Sequence, residues 1–263
     1  MDSLAQRRHT IRTFWEERVP LGMLSGTPDF LLTQVEQAYL LEHVPAGSRV
    51  LELGSGSGHT LIRLAQKRQC ECVGLDYIPG MVQLAQAQVQ AVGLSGQVRI
   101  MAHTLPALPE DLSPFDVVIS NRCLNSLVSA EEQQQVIQGI PSLLKPGGLF
   151  LMLENTLDGL EATNRMRQAA GLDSIEEAWH SRFFRVAEVE AWQQPGFRIE
   201  HFAHVTSLYY FLSRVINASL CAQTGEALAY DARINQIAAA LPQQVGDFGP
   251  VKAWHWRKQG QTA

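Results

Sequence analysis

The sequence contains few cysteines, four among 263 residues, and no two of them form a C-x-x-C pair. Cys70, Cys72, Cys123 and Cys221 lie within or beside apolar runs, which indicates buried free thiols and a reducing compartment. Histidine, cysteine and aspartate are nowhere grouped at the spacing of metal ligands. The sequence therefore predicts free thiols and no bound metal.

Positive charge is also scarce, because 21 lysines and arginines face 26 aspartates and glutamates, a net charge of −5. A general nucleic-acid-binding protein usually carries a basic face, so this balance argues against nucleic acid as a partner. No segment combines the length and apolarity of a signal peptide or a membrane span. We therefore expect a soluble, cytoplasmic protein that does not bind membranes.

What the sequence does contain is a strand–turn–helix unit. The apolar run Val50–Leu53 leads into a turn with glycines at positions 54, 56 and 58, and a helical pattern follows from His59. Glycine lets the backbone approach a ligand closely, and the first N–H groups of the helix point at whatever lies above them. This arrangement is typical of a nucleotide-type site at the carboxyl end of a parallel strand.

The glycine spacing separates this turn from that of a dinucleotide site. The dinucleotide fingerprint is G-x-G-x-x-G, whereas the run here is G-x-G-x-G and His59 takes the place of the last glycine. A second apolar strand, Glu71–Leu75, is followed by Asp76, 22 residues after Gly54. A doubly wound fold places at that position the acid that accepts from ribose hydroxyls.

Four segments in this order resemble the class I S-adenosylmethionine-dependent methyltransferases: Val50–Gly58, Gly74–Asp76, Phe115–Asn121 and Leu143–Phe150. The resemblance covers about residues 30–155. It implies an α/β fold, namely a doubly wound, Rossmann-like, mostly parallel sheet of seven strands whose last strand is antiparallel, with helical cap insertions. It also implies S-adenosyl-L-methionine as the cofactor.

The resemblance assigns cofactor contacts to residues at the strand ends. Gly54 to Gly58 would cradle the amino-acid end of the cofactor, Glu52 its ammonium, and Asp76 the ribose hydroxyls. Family members often carry an acid where this sequence has His103, and some carry a histidine where it has Ser126. The expected cofactor-binding residues are Glu52, Gly54, Ser55, Gly56, Gly58, Asp76, Tyr77, Met81, His103, Thr104 and Asn121.

The remaining pattern alternates strands with helices, which implies a parallel sheet with right-handed crossovers. We expect strands near 49–53, 71–75, 97–101, 115–120, 148–153, 197–204 and 250–257, and helices near 3–18, 29–43, 59–68, 79–92 and 130–144. Two long insertions, 155–195 and 206–247, can roof the site. The chain is expected to form one domain, 1–263: a helical cap (1–46), a cofactor-binding core (47–154), insertions around an edge strand (155–247) and the last strand (248–263). The first two helices either close over the cofactor or pack against the sheet.

Candidates for catalysis and acceptor binding are fewer and less specific. His180 is the first choice as a general base and His59 the second, because imidazole titrates near neutral pH; a structural role is the alternative for each. Arginines could bind an anionic group of the acceptor with their planar forks, or instead pair with Glu176, Glu177 or Glu188. The expected acceptor-binding residues are Arg122, Asn125, Arg167, Arg182, Tyr209, Tyr210 and Arg214.

The expected activity is transfer of a methyl group to an oxygen or nitrogen of a small molecule, such as a sugar, an amino acid or an intermediate of secondary metabolism. One alternative is an enzyme of the same fold used for elimination, cyclisation or decarboxylation, because fold does not fix function. Another is a partner subunit that binds the cofactor without catalysis.

Overall fold

The computed structural model describes residues 4–112 and 114–260. Position 3, where the first predicted helix begins, and the outer ends of the predicted 1–263 domain lie outside these residues. Seven strands form one sheet: β1 (Arg49–Leu53), β2 (Glu71–Asp76), β3 (Val98–Ala102), β4 (Phe115–Asn121), β5 (Leu144–Asn155), β6 (Phe197–His204) and β7 (Val251–Lys258).

The strand order is β3-β2-β1-β4-β5-β7-β6. Neighbours among β1 to β5 pair in parallel, whereas β7 runs antiparallel to both β5 and β6. The doubly wound, mostly parallel sheet of seven strands is therefore confirmed, including its antiparallel last strand.

Ten α-helices surround this sheet in the described residues: α1 (Leu4–Glu17), α2 (Phe30–His43), α3 (His59–Arg68), α4 (Pro79–Ala91), α5 (Ala130–Gly139), α6 (Leu157–Ala169), α7 (Val186–Ala191), α8 (Ser207–Phe211), α9 (Ala218–Thr224) and α10 (Arg233–Ala240). Helix α5 is shorter than predicted. Residues Ile140–Leu143 form a 3-10 turn, because the ring of Pro141 removes a helical N–H donor. Strand β5 then begins at Leu144, four residues earlier than predicted.

No described helix is both long and apolar enough to cross a bilayer.

The central strands are apolar because both faces of the sheet are covered. Val50 packs in the cluster that includes side chains of α2, α3 and α4, whereas Leu51 and Leu53 pack in the cluster that includes side chains of α5 and α7. This alternation follows from the two-residue period of a strand. Because β1 pairs in parallel with both β2 and β4, the carboxyl ends of these three strands meet at one edge.

The second insertion packs against α2. Tyr209, Tyr210 and Ala238 share a small buried cluster with Leu32 and Val35 of that helix. The insertion therefore supports α2 from its outer side.

A buried ion pair fixes this junction. Asp29 caps α2 by accepting from the N–H of Leu32 at 3.1 Å. The same carboxylate accepts from the hydroxyl of Tyr209 at 2.7 Å and pairs with Arg214 at 2.5 Å. The Arg214 guanidinium lies over the rings of Tyr210 and Tyr230. Asp29 is fully buried, so each of its partners compensates a desolvated charge.

Arg214→Met should lower the free energy of unfolding by about 3 kcal/mol, because it leaves the Asp29 carboxylate buried without its cation. Urea denaturation measures this loss. Arg185→Met is the matched control, since Arg185 pairs with Glu161 at the surface and such pairs contribute about 0–1 kcal/mol. Equal losses in the two variants would contradict a stabilising role for the buried pair.

Candidate functional site

A cavity of about 450 Å³ opens where the carboxyl ends of β1, β2 and β4 meet. Its volume lies in the range of small-molecule sites, about 300–1,000 Å³. The walls come from the turns after these strands, from the residues that follow β3, from α1 and α2, and from His180 and Ser181. The cavity therefore lies where the strand–turn–helix unit predicted a ligand site.

The glycine turn forms the floor. Gly54, Gly56 and Gly58 have φ values of +66°, +50° and +75°, a region that side chains with a Cβ rarely adopt. A Cβ on Gly54 would lie 2.4 Å from the Sγ of Cys123. The turn thus needs glycine at position 54 for two reasons: the φ angle is positive, and Cys123 leaves no space for a Cβ.

Asp76 ties this turn to the end of β2. One carboxylate oxygen accepts from the N–H of Gly56 at 2.9 Å and the other from the N–H of Ile78 at 2.9 Å. Burial raises the pKa of Asp76, and these hydrogen bonds oppose that rise. Each carboxylate oxygen can accept more than one hydrogen bond, so Asp76 can still accept from hydroxyls of a ligand.

Glu52 is a buried acid with an unpartnered oxygen at the same edge. It is 3% exposed and lines the cavity, and its Oε2 has no hydrogen-bond partner among the described residues. Burial raises the pKa of Glu52 to about 8, a hydrogen bond with Thr60 opposes this rise, and the nearby Asp76 adds to it. A cationic ligand group would supply the missing partner, so this acid fits an ammonium.

Glu154, which the sequence analysis missed, organises the turn after β4. It is fully buried on β5 and accepts from the backbone N–H groups of Cys123, Leu124 and Asn125 at 2.9–3.2 Å, and from the hydroxyl of Ser120. Burial raises its pKa to about 7, and these donors oppose the rise. The sequence did contain a signal for this role, because Glu154 is an acid at the end of the apolar run of β5.

Ten of the eleven cofactor candidates line the cavity, in keeping with their predicted role: Glu52, Gly54, Ser55, Gly56, Asp76, Tyr77, Met81, His103, Thr104 and Asn121. Gly58 does not line it. A Cβ there would lie 3.1 Å from the Cβ of Ala85, so this glycine lets α3 begin close to α4. His103 binds the carbonyl of Ala107 through Nε2 at 2.7 Å.

Both histidines proposed for catalysis line the cavity. His180 stacks on Phe14 with ring centroids 4.1 Å apart, and Trp15 and Trp179 contact it edge-on. Burial, with a smaller contribution from Arg18, lowers the pKa of His180 to about 4. Burial also lowers the pKa of His59. The lowered pKa values favour the neutral form of both imidazole rings.

Of the seven predicted acceptor-binding residues, only Arg122 lines the cavity. Asn125 and Arg182 instead anchor the segment that carries His180. The Asn125 side chain donates to the carbonyl of Arg182 at 3.2 Å, and Arg182 binds Gln133 and Glu188 at 2.6 Å each. Arg182 therefore pairs with Glu188, which was the alternative to binding the acceptor.

The other four residues lie in the cap interior. Tyr209, Tyr210 and Arg214 belong to the junction around Asp29. Arg167 donates to the carbonyls of Arg214 and Asp173. Their prediction as cavity residues was wrong, because partners within the caps already satisfy these polar groups.

The roof comes mainly from the N-terminal helices. Arg8, Ile11, Arg12 and Trp15 of α1 line the cavity, and Ile11 is the one fully buried residue described on that helix. For helix α2 the two alternatives, covering the site and packing, are compatible. Its residues Thr33 and Gln37 line the cavity, while its apolar residues pack in the buried clusters. The second insertion contributes no lining residue in the described chain, contrary to expectation.

No group of three or more histidine, cysteine, aspartate or glutamate side chains within residues 4–112 and 114–260 could hold a metal ion.

Comparison with known proteins gives one family match and several relatives. The sequence profile of a family described as "Methyltransferase domain" matches residues 45–196, more than half of the chain. Ribosomal protein L11 methyltransferase of Symbiobacterium thermophilum is 28% identical over 62% of this chain and 47% of its own length. The chain spans about half to three fifths of the length of the first curated relatives it matches.

Two solved structures share the fold. The [4+2]-cyclase SpnF has a TM-score of 0.59 and 20% identity, covering 86% of this chain and 81% of its own. Geranyl diphosphate C-methyltransferase of Streptomyces coelicolor, in complex with its substrate and S-adenosyl-L-homocysteine, has a TM-score of 0.58 and 11% identity, covering 86% of this chain and 79% of its own.

Gly54→Ala should destabilise the protein more than Gly56→Ala, as measured by urea denaturation. Both positions have positive φ values, but a Cβ on Gly56 meets nothing within 4 Å. The Gly56 variant therefore shows the backbone cost alone, about 1–2 kcal/mol, and the Gly54 variant adds the collision with Cys123. If both variants lost the same stability, the close contact would have no energetic weight.

Proposed function

The chain belongs to the class I S-adenosylmethionine-dependent methyltransferases, and we propose that it methylates an oxygen or nitrogen of a small molecule held in the cavity. The observation that carries this proposal is one cavity lined by the glycine turn, by Asp76 and by Glu52, whose Oε2 has no hydrogen-bond partner in the described residues. A sugar, an amino acid or an intermediate of secondary metabolism is the expected acceptor.

The cofactor of this family is S-adenosyl-L-methionine, and the residues present fit it. Asp76 would accept from the ribose hydroxyls, Glu52 would pair with the ammonium, and Tyr77 and Met81 would pack against the adenine. When bound, the cofactor supplies an electrophilic methyl group on a sulfonium. The protein has to align the acceptor atom in line with the departing sulfur and keep water out.

The roof supports a small acceptor. Helix α1 and the loop with His180 contact each other at the cavity, where His180 stacks on Phe14 and Arg7 donates to the carbonyl of Ser181 at 3.4 Å. A protein acceptor, as the name of the L11 methyltransferase relative states for that enzyme, would need a mouth open to a surface side chain. This partial cover over the cavity favours a compact molecule.

His180 would act as base only in its neutral form, which its low pKa ensures above about pH 5. The same low pKa makes it a weak proton acceptor, since general bases work best with a pKa near the working pH. We therefore propose that alignment contributes more to the reaction than proton removal by His180 or His59.

A second candidate function follows from the same histidines. SpnF, which is named a [4+2]-cyclase, shares this fold, and a cavity whose histidines are poor bases also suits a reaction that removes no proton. Under this alternative the protein cyclises or otherwise rearranges a small metabolite. Methyl transfer remains the leading proposal because Glu52 is placed for a cationic cofactor.

Titration calorimetry should detect binding of S-adenosylhomocysteine to the wild-type protein. Asp76→Ala should weaken it at least tenfold, because the variant loses charged hydrogen bonds to the ligand worth about 1.5–3 kcal/mol. Asp116→Ala is the matched control, since Asp116 pairs with Lys145 beside the other edge of the sheet. A wild-type protein that bound neither S-adenosylmethionine nor S-adenosylhomocysteine would end the proposal.

Binding of S-adenosylhomocysteine at pH 7 should release a proton from Glu52. The pKa of Glu52 is raised to about 8 in the free protein, so the group is mostly protonated at pH 7, and pairing with an ammonium favours the ionised form. Affinity should therefore fall as the pH drops below 8. The check is the calorimetric enthalpy in buffers of different ionisation heat, and Glu52→Gln should abolish the buffer dependence.

A further inference from the structure

Arg122 and Glu36 form an ion pair beside the glycine turn, on the side away from β2. Strands β1 and β4 are parallel neighbours, and their register pairs Leu53 with Ser120. The residues that follow, Asn121 and Arg122, therefore lie beside Gly54. The contact between the Gly54 position and the Sγ of Cys123 confirms this proximity.

Arg122 has an unusual backbone at this place. Its φ is +52°, and the only other described non-glycine residue with a positive φ is Gln69, where α3 ends. A residue with a large side chain adopts this conformation at a cost, and such strain persists where the surroundings hold it. The conformation leaves the Arg122 side chain in the cavity wall, 20% exposed.

Glu36 of α2 holds this arginine from behind. Its side chain is fully buried, and its Oε2 lies 3.2 Å from the Nε of Arg122. Neither oxygen of Glu36 makes a well-directed hydrogen bond, and the Nε of Arg122 and the Oδ1 of Asn121 also lack one in the described structure. Buried polar atoms left in this state call for an explanation.

The other side of the guanidinium faces the cavity and the N-terminal roof. One terminal nitrogen of Arg122 lies 3.5 Å from the carbonyl of Gly26, a weak contact that leaves donors available. Arginine presents five N–H donors in a planar fork that matches a carboxylate. Arg122 can therefore bind a ligand carboxylate on one edge while Glu36 compensates its charge on the other.

The two residues beside the turn are thus a cation and an acid that becomes ionised when an ammonium pairs with it. Glu52 presents a carboxyl oxygen without a partner in the described residues and Arg122 presents a cation, and both line the cavity next to Gly54. An amino-acid zwitterion carries the complementary pair of charges. We propose that Arg122 binds the carboxylate of the amino-acid end of the cofactor, and that Glu36 is the positioning residue that holds Arg122 for this contact.

This inference rests on the proposed function and assigns Arg122 to the cofactor rather than to the acceptor. It also gives α2 a part in binding, because Glu36 belongs to the same helix face as Thr33 and Gln37, which line the cavity. The residue signals were an acid on the buried part of helix α2 and an arginine directly after a strand.

The test compares two ligands that differ in the carboxylate alone. S-adenosylhomocysteine carries both charges, whereas 5′-deoxy-5′-(3-aminopropylthio)adenosine has the same thioether nucleoside and amine without the carboxylate. Calorimetry with the wild-type protein should show at least tenfold tighter binding of S-adenosylhomocysteine. Arg122→Met should remove this preference by weakening S-adenosylhomocysteine at least tenfold and the amine less than twofold.

Glu36→Gln should reduce the preference between three- and tenfold, because Arg122 remains but is less firmly oriented. A purely structural role for Glu36 would weaken both ligands equally and leave their ratio unchanged. Arg257→Met and Glu200→Gln remove the two halves of an exposed pair beside the other edge of the sheet, and both should keep the wild-type ratio. Circular dichroism checks that each variant is folded.

The outcomes separate the two proposals. If the wild-type protein bound both ligands equally, or if Arg122→Met kept the preference, the carboxylate would be recognised elsewhere and this assignment would fail while cofactor binding stood. If neither ligand bound to the folded wild-type protein, the proposed function itself would fail.

Discussion

The hydrogen bond from the N–H of Gly56 to the carboxylate of Asp76 is the interaction on which the site depends. It joins the turn after β1 to the end of β2 at 2.9 Å, so the floor of the cavity and its ribose-binding candidate move as one unit. The bond is possible because Gly56 takes a positive φ. The contact of Gly54 with Cys123 extends the unit to β4, and three strand ends become a single rigid surface.

The parts of this surface that the sequence predicted are those formed by neighbours in the chain. The strand, the glycine turn and the first turn of α3 are consecutive, and Asp76 ends the next strand, so pattern and spacing were enough. The partners of Arg214 and Tyr209 were missed because Asp29 lies some 180 residues away. A guanidinium fork fits a ligand and a buried carboxylate equally well, and only the packing of the second insertion on α2 decides between them. Glu154 and Glu36 escaped notice for a related reason: each acts on backbone or side chains that only the sheet brings near.

Charge at the site is arranged around burial. Glu52, Asp76 and Glu154 all have raised pKa values because they are removed from water, while His180 and His59 have lowered ones for the same reason. The protein thus lines one cavity with acids that can pair with a cation and with imidazole rings whose lowered pKa favours the neutral form. Such a distribution suits a reaction in which the ligand brings its own charge and the protein supplies alignment, which is what displacement at a sulfonium requires.

The position of β7 between β5 and β6 also constrains how the chain is made. Strand β6 pairs with no strand of the sheet other than β7 in the described fold. On the ribosome, β6 emerges well before its partner, and β5 meanwhile presents an unpaired edge of apolar residues. Such an edge invites association with other nascent chains, so the chain is most prone to aggregation in the interval between the synthesis of β5 and that of β7.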